Sequence, residues 1–437
     1  MKFAIIFALA LAASAAEPDW TALEKYSLDL LQRYIRIQTV NPPADSRPAA
    51  ALLRAEFEKH GFTVKLFEAG PAGQVNLLTR LPGRDRTKKP LLLLNHMDVV
   101  PVDPKAWSID PFGGILRDGS IWGRGALDMK GIGIEQLTAL VALKQAGITP
   151  ERDIIFLSTA DEESGGELGA AWMINNHWPE IESEYVIDEG GVVSQDMLAD
   201  KKLVFGVTVG EKQNVWLRMK AKGTAAHGSQ PIPDNANMTL LRAIEKAMAL
   251  PSSTKPSATV AEMQKTLGQM AKNKFTAAIQ GNTMTLTTLR SGVGDPPKVN
   301  VIPSAAEVTF DCRLLPGTNA EEFISELKAR VNDAKITVER LSFSPDPGAS
   351  NHRTSLYDVI AAAARKHHPS AVVTPILVPW STDAVKFRMK GVTAYGVSPM
   401  VLDSATMATM HSDEERIPID QFHKGTRIFF DILRSSF

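Results

Sequence analysis

With 437 residues, the chain is too long for one compact core, so its length predicts two domains. Its 44% hydrophobic and 22% charged residues are ordinary for a globular protein. A net charge of −1 without a basic run argues against a nucleic-acid-binding surface. The single cysteine, Cys312, excludes an intramolecular disulfide framework and a CxxC zinc module, and its strand-like surroundings favour a core position.

Residues 1–16 have the pattern of an export signal. A positively charged start is followed by an apolar run over 3–13, and the small residues after it fit cleavage behind Ala15 or, nearly as well, behind Ala16. The alternative is a retained N-terminal anchor, although the run is too short for a permanent membrane helix. No later segment has the apolar length that a membrane helix needs. We therefore expect an exported protein, periplasmic or extracellular.

The next two hundred or so residues alternate between helical and strand-like patterns. Helical spacing and stop signals predict helices over 20–37, 48–60 and 132–145. Apolar runs predict strands over 63–67, 75–81, 91–94, 153–158 and 185–187. The run at 91–94 is apolar on both faces, as in a central strand. This alternation predicts a doubly wound α/β domain built on a mixed sheet.

The pattern changes near residue 212. A strand over 214–222 alternates apolar and polar residues, and a helix (236–250), two strands (283–289 and 306–314), a helix (319–331) and a strand (335–343) follow. This β-α-β-β-α-β order predicts an inserted α+β domain of the ferredoxin-like type. The α/β pattern then resumes and ends in a helix over 419–433. The predicted domains are thus 17–211 with 345–437, and the insert 212–344.

Acidic residues and histidines follow several of these strands. His96 follows the strand at 91–94, and Asp98, two residues on, can reach the His96 ring and orient it. Asp128 lies in a glycine-rich segment before a helix, where it could bridge two metal ions. That segment lacks the spacing of the dinucleotide and Walker A motifs, which excludes nucleotide binding.

The adjacent Glu162 and Glu163 follow the strand at 153–158 and point in different directions. One can therefore ligate a metal while the other takes a proton from the attacking water. Asp188 and Glu189 follow the strand at 185–187, and spacing does not decide which of them ligates. His411 precedes the last helix. Each residue has an ordinary structural explanation by itself, but two imidazoles with several carboxylates suit a pair of Zn²⁺-like ions, and so a hydrolase.

The order of these motifs strongly resembles the M20 metallopeptidases, which include aminoacylases, Gly-X carboxypeptidases, dipeptidases and succinyl-diaminopimelate desuccinylase. The resemblance covers essentially the whole chain after the signal. It rests on HMDVVP at 96–101, W-x-x-x-PF at 107–112, GRGALDMKG at 123–131, DEE at 161–163, DEGG at 188–191 and the late His411.

The resemblance implies a role for each catalytic residue. It implies two Zn²⁺ per subunit, with Co²⁺ or Mn²⁺ as possible substitutes, bound by His96, Asp128 as the bridge, Glu163, Asp188 and His411. Glu189 is the competitor of Asp188 for the fourth acidic position. Glu162 would be the general base and Asp98 would orient the site. The peptide bond after Asp128 would be cis.

The resemblance also makes the insert a lid and dimerisation domain. His227, in the HGS segment at 227–229, would reach the active site of the partner subunit in a homodimer. Asn300 and Arg313 would hold the anionic end of the substrate, a task that suits the planar fork of an arginine. A related aminopeptidase clan with a similar ligand order lacks such a domain.

We therefore expect an exported dinuclear zinc hydrolase that releases an amino acid from a small peptide or an N-acyl amino acid. The alternative is a catalytically inactive binding protein that retains the fold, against which the intact ligand set and Glu162 argue. Trp380 stands where the family usually has glycine in its small-x-Thr-Asp turn. Its side chain could narrow the substrate pocket or stack on an acyl group.

Overall fold

A computed structural model describes residues 17–70, 73–250 and 255–437. The predicted export signal and its cleavage site lie outside the described residues. The first part of the chain contains the helices α1 (Trp20–Ile35), α2 (Arg47–Lys59), α3 (Gly131–Gln145), α4 (Ala170–Asn176) and α5 (Trp178–Ile181). Its strands are β1 (Val64–Glu68), β2 (Val75–Leu81), β3 (Leu91–His96), β4 (Ile115–Arg117), β5 (Ser120–Trp122), β6 (Ile154–Thr159), β7 (Tyr185–Asp188), β8 (Val192–Ser194) and β9 (Val204–Glu211).

The middle of the chain forms a second set of elements. Its strands are β10 (Gln213–Lys222), β11 (Ala226–His227), β12 (Thr283–Ser291), β13 (Val301–Ile302), β14 (Ala305–Leu314) and β15 (Ile336–Phe343). Its helices are α6 (Ala236–Met248), α7 (Ala258–Leu267), α8 (Lys274–Ala278) and α9 (Ala320–Val331). The chain ends with α10 (Ser355–His367), β16 (Val372–Val378), α11 (Ala384–Arg388), β17 (Thr393–Gly396), α12 (Ser404–Met407), β18 (Arg416–Pro418) and α13 (Ile419–Arg434).

Nine strands form the large sheet, in the order β1-β2-β6-β3-β7-β17-β9-β16 with β8 paired to β9. The pairs β3–β6, β3–β7, β7–β17 and β9–β16 are parallel, whereas β1–β2, β2–β6, β8–β9 and β9–β17 are antiparallel. The predicted α/β class with a mixed sheet is therefore confirmed. Strands from both ends of the chain contribute to this sheet.

Helix α3 packs against the large sheet and is enclosed by other helices. Every residue from Gly131 to Leu143 is buried, because α3 contacts β3 and β6 of the sheet and is also covered by α1 and α13. A helix enclosed in this way is apolar around most of its circumference rather than along one stripe. It begins directly after the segment that carries Asp128, so its packing fixes the position of that residue.

Four antiparallel strands form the small sheet, in the order β12-β14-β10-β15. The inward side chains of β10 are Val215, Leu217, Met219 and Ala221, which pack with residues of β14, α6 and α9 in a separate core. Cys312 is buried in this core, as expected from its sequence context. The helices α7 and α8 also fall between residues 212 and 344, yet their apolar side chains pack against β16 of the large sheet. Among the described residues, none of the helices is long and apolar enough to cross a membrane.

Candidate metal centre

The carboxyl ends of three neighbouring parallel strands carry the central residues of the site. His96 is the last residue of β3 and pairs with Thr159 at the end of β6. Glu162 and Glu163 follow β6 in a single 3₁₀ turn, and Glu189 directly follows β7. Parallel strands place their carboxyl ends at one edge of the sheet, which is where ligands bind in open α/β folds. Side chains far apart in sequence are therefore brought together there.

Asp128 lies between two histidines. Its Oδ1 is 3.1 Å from Nε2 of His96, and its Oδ2 is 3.0 Å from Nε2 of His411. On the His96 side, Glu189 Oε1 is 3.5 Å and Glu162 Oε2 is 4.0 Å from the same Nε2. On the other side, Glu163 Oε1 is 3.4 Å from His411 Nε2. We call these six residues the carboxylate–histidine cluster.

Asp98 holds the backbone of two cluster residues in place by hydrogen bonds. Its carboxylate accepts hydrogen bonds from the backbone N–H groups of Glu162 and Glu163, at 3.1 Å each, and from Asn41 at 2.8 Å. Its backbone carbonyl lies 3.0 Å from Nδ1 of His96, closer than its carboxylate at 3.5 Å. A carbonyl oxygen can only accept, so Nδ1 carries a hydrogen, and Nε2, which faces Asp128, is the nitrogen that would bind a metal. The sequence predicts the orienting role of Asp98 but not the contribution of Asn41.

The structure separates Asp188 from Glu189. The carboxylate of Asp188 is buried and accepts hydrogen bonds from Thr382 Oγ1 at 2.9 Å and from the backbone N–H of Ala384 at 2.8 Å. It points away from the carboxylate–histidine cluster, whereas Glu189 contacts His96. The resemblance of the motifs favours Asp188 as the fourth acidic ligand, but the geometry favours Glu189. The reason is that consecutive residues at a strand end point to opposite sides.

Glu415 holds the segment that presents Asp128, a π-helical turn at Ala126–Lys130 with a cis Asp128–Met129 peptide bond, as the resemblance implies. The fully buried carboxylate of Glu415 accepts hydrogen bonds from the backbone N–H groups of Gly125, Leu127 and Asp128, at 3.0, 2.7 and 3.1 Å. Arg124 donates to the same carboxylate at 2.7 Å. Glu415 is not predicted from the sequence, where its only signal is its position four residues after His411.

The electrostatics of the cluster fit divalent cations. Burial, followed by the repulsion of Asp128, raises the pKa of Glu189 well above its usual value, and burial also raises the pKa of Glu163. The carboxylates of Asp128 and then Glu163 raise the pKa of His411 to about 10. Glu163 Oε1 is buried, and neither His411 Nε2, at 3.4 Å, nor any other described group meets it in hydrogen-bond geometry. Crowded carboxylates with an unsatisfied oxygen lower their free energy by binding a metal ion. Two sets of residues have ligand atoms within 4.8 Å of one another: His96, Asp128 and Glu163, and His96, Glu162 and Glu189.

The three predicted residues of the insert lie apart from this cluster in the single chain. His227 is exposed in β11, and its Nδ1 lies 2.7 Å from Ser229 Oγ. Asn300 is exposed, and its backbone carbonyl accepts a hydrogen bond from Gly228. The guanidinium of Arg313 donates to both carboxylate oxygens of Asp311, at 2.8 and 3.1 Å. Within the described residues, none of the three contacts the cluster.

Comparison with known proteins identifies the family. The profile of "Peptidase family M20/M25/M40" matches residues 92–435. Aminoacylase-1 from Sus scrofa is 31% identical over 415 residues, which cover 94% of this chain and 95% of that protein. The chain therefore belongs to peptidase family M20/M25/M40 and is a hydrolase, which confirms the resemblance seen in its motifs.

Solved structures agree with this fold. The M20 family metallo-carboxypeptidase Sso-CP2 from Sulfolobus solfataricus superposes with a TM-score of 0.74 at 18% identity, covering 93% of this chain and 98% of that one. The Bacillus subtilis YXEP protein, described as a dinuclear metal-binding peptidase of the M20 family, superposes with a TM-score of 0.61 at 10% identity and covers 95% of this chain and 98% of its own. At these identities the superpositions establish a shared fold.

Proposed function

We propose that this chain is a dinuclear zinc amidohydrolase that releases an amino acid from an N-acyl amino acid or a small peptide. The observation that carries the proposal is the position of Asp128, whose two carboxylate oxygens each face a different histidine at 3.1 and 3.0 Å. One metal would be bound by His96, Asp128 and Glu189, and the other by Asp128, Glu163 and His411. Co²⁺ or Mn²⁺ would be able to substitute for Zn²⁺, since imidazole and carboxylate ligands accept all three.

Glu162 is the general base in this proposal. The bound metals would polarise the scissile carbonyl and lower the pKa of the attacking water. Glu162 lies close enough to His96 and Glu189 to share a metal site with them, but we assign it to neither ligand set, and Asp98 accepts a hydrogen bond from its backbone N–H. Burial raises the pKa of Glu162 well above its usual value, against the opposite effect of His96, which suits a group that accepts a proton and passes it on. The carboxylate would take the proton of the water and deliver it to the leaving nitrogen.

The substrate class is proposed from the similarity to aminoacylase-1, together with the residues of the insert. Arg313 and Asn300 would hold the carboxylate of the released amino acid, and His227 would come from the partner subunit. A homodimer through the small sheet is supported by exposed apolar side chains on α6 and on the edge strand β12, namely Met238, Leu241, Met248, Leu286 and Leu289. Exposed apolar surface of this kind is typical of interaction sites.

We also propose that the protein is exported, on the basis of the signal pattern in residues 1–16. Intact-mass measurement of the protein recovered from expressing cells and from their medium would show whether the chain begins after Ala15 or Ala16. A full-length mass in every fraction would contradict export by cleavage.

A Glu162→Gln variant tests the catalytic proposal. We expect it to bind two zinc ions per chain by elemental analysis, because Glu162 is outside both ligand sets, while kcat on N-acetyl amino acids falls by at least about 10²-fold. The wild-type enzyme should lose activity with a chelator and regain it with Zn²⁺. Near-normal turnover by the variant would refute the role of Glu162. Two bound ions without turnover on any N-acyl amino acid or dipeptide would favour an inactive binding protein instead.

A further inference from the structure

Trp380 lies beside the candidate metal centre and has no part in the function proposed above. It belongs to the turn between β16 and α11, and its indole Nε1 is 3.4 Å from where a Cβ atom on Gly190 would lie. Gly190 directly follows Glu189, a proposed metal ligand. The indole therefore covers the backbone next to the metal centre, and it is only half-buried.

The position of this indole is fixed on two sides. Two residues further on, Thr382 donates from Oγ1 to Asp188, and its backbone N–H donates to Glu211 at 3.0 Å. The turn is therefore fastened to the strand end that also presents Glu189. Behind the indole lies the buried ring of Phe275 from α8, with a centroid separation of 5.6 Å and an interplanar angle of 57°. A ring held in this way can offer a preorganised aromatic surface at little entropic cost.

The polar edge of the indole is also available. No described residue accepts a hydrogen bond from Trp380 Nε1, and this nitrogen lies beside Gly190, which has no side chain to cover it. A tryptophan in a protein usually finds a partner for its N–H when it is buried. A half-buried indole with a free N–H next to a catalytic centre is suited to contact a substrate.

We infer that Trp380 is a specificity-determining residue, whose indole selects substrates that carry an aromatic ring next to the scissile amide bond. The inference rests on the proposed amidohydrolase function. The ring could belong either to the acyl group or to the side chain of the released amino acid, and both would stack on the same indole. Offset or edge-to-face contact between two rings favours the aromatic substrate over an aliphatic one of equal size.

The experiment compares kcat/KM for four zinc-dependent hydrolysis reactions. The substrates are N-benzoylalanine with N-cyclohexanecarbonylalanine, and N-acetylphenylalanine with N-acetyl-3-cyclohexylalanine. The benzoyl and cyclohexanecarbonyl groups are similar in size, so their ratio isolates the aromatic contact. The benzoyl and phenylalanine substrates distinguish a ring on the acyl group from a ring on the amino acid.

We expect the wild-type enzyme to have a higher kcat/KM for the aromatic member of at least one pair than for its cyclohexyl counterpart. In Trp380→Ala and Trp380→Leu, that preference should fall by about three- to tenfold, the range measured for aromatic pairs. Trp380→Phe should retain most of it. Trp178→Ala is the matched control, because Trp178 is also half-buried beside a phenylalanine, with 6.4 Å between its ring centroid and that of Phe387. The preference of the Trp178→Ala variant for the aromatic substrate should equal that of the wild type.

Three results would overturn the inference while leaving the amidohydrolase function intact. These are a wild-type enzyme that hydrolyses the substrates with no preference for the aromatic member of either pair, an unchanged ratio in both Trp380→Ala and Trp380→Leu, and faster hydrolysis of the aromatic substrates by those variants. The last result would mean that Trp380 narrows the pocket. Absence of zinc-dependent hydrolysis of all four substrates would overturn the proposed function and this inference together. Because Trp380→Leu keeps more apolar volume than Trp380→Ala, it keeps the test decisive even if Trp380→Ala does not fold.

Discussion

At the end of β7, only one of two neighbouring carboxylates faces the carboxylate–histidine cluster. Asp188 is satisfied by Thr382 and Ala384, whereas Glu189 contacts His96. We expect Glu189→Gln to lower the zinc content from two ions per chain toward one, with a large loss of kcat. Asp188→Asn should keep both ions, since its partners lie outside the ligand sets. Elemental analysis after dialysis measures both variants, and the reverse pattern would show that Asp188 is the ligand.

Glu415 acts through the backbone around Asp128. Glu415→Gln preserves shape but replaces one acceptor oxygen by an NH₂ group, which faces either backbone N–H groups or Arg124. Loss of a group that supports metal ligands typically lowers metal affinity by about 10- to 100-fold. We expect a loss of this size in zinc titrations, and addition of excess zinc should restore much of the activity. The neighbouring Glu414→Gln serves as control, because Glu414 is exposed and should leave zinc affinity unchanged.

The residues that could be predicted from the sequence are those that lie in a motif or follow the motifs in a fixed order. His96, Asp128 and Glu163 each lie in a recognisable motif, His411 is predicted from its late position, and the structure brings the four together. The choice between Asp188 and Glu189 depends on which side of a strand end faces the cluster, and a one-residue change in register reverses it. Glu415 could not be inferred, because its role depends on backbone N–H groups that lie nearly three hundred positions earlier.

At the scale of elements, strands with an uninterrupted apolar run or a regular alternation were predictable, and a strand with neither pattern was not. The predicted strands at 91–94 and 153–158 correspond to β3 and β6. Strand β9 is buried along its whole length, yet no strand was predicted there, because glycine and threonine break its apolar run. One of those glycines is required by packing, since a Cβ on Gly206 would lie 2.9 Å from Ile376 and from the Val192 carbonyl.

The contact between α3 and α13 contains a buried carboxyl group that makes stability depend on pH. Both oxygens of Glu135 lack a hydrogen-bond partner among the described residues, and Gly425 of α13 lies directly against them. Burial raises the pKa of Glu135 well above its usual value. The folded state therefore binds a proton that the unfolded state releases, and this group's contribution to stability falls as pH rises above the ordinary glutamate pKa.

Glu135→Gln should remove that dependence. Its unfolding free energy relative to wild type should increase between pH 5 and pH 8, by at most about 1.4 kcal/mol per pH unit. Urea denaturation of the zinc-loaded protein at several pH values measures this difference. Glu58→Gln, in an exposed pair with Arg54, is a suitable control and should give a flat difference profile. A flat profile for Glu135→Gln would show that the Glu135 carboxyl is not held neutral.

At the scale of the whole molecule, the two sheets divide the proposed work. Strand ends of the large sheet carry His96, Glu162, Glu163 and Glu189, whereas Asp128 lies in the turn before α3 and His411 in the loop before β18. The small sheet and its connections carry His227, Asn300 and Arg313. These three residues do not contact the cluster within the described chain. If they act at the metal centre, as proposed, either the small sheet moves or a second subunit supplies them. The exposed apolar side chains of α6 and β12 favour the second subunit.

Mixed dimers would decide between these arrangements. A Glu162→Gln subunit has an intact His227, and a His227→Ala subunit has an intact metal centre and base. If His227 acts across the dimer, each heterodimer assembles one complete site from the centre of the His227→Ala chain and the His227 of its partner. Random pairing of the two variants should then recover about a quarter of wild-type activity, because half of the dimers are mixed and each has one working site.

Each variant alone should be nearly inactive. Co-expression with two affinity tags isolates the mixed dimer, and reassociated wild-type chains are the control. If His227 acts within its own chain, every subunit in the mixture carries one defect and activity stays at the level of the separate variants.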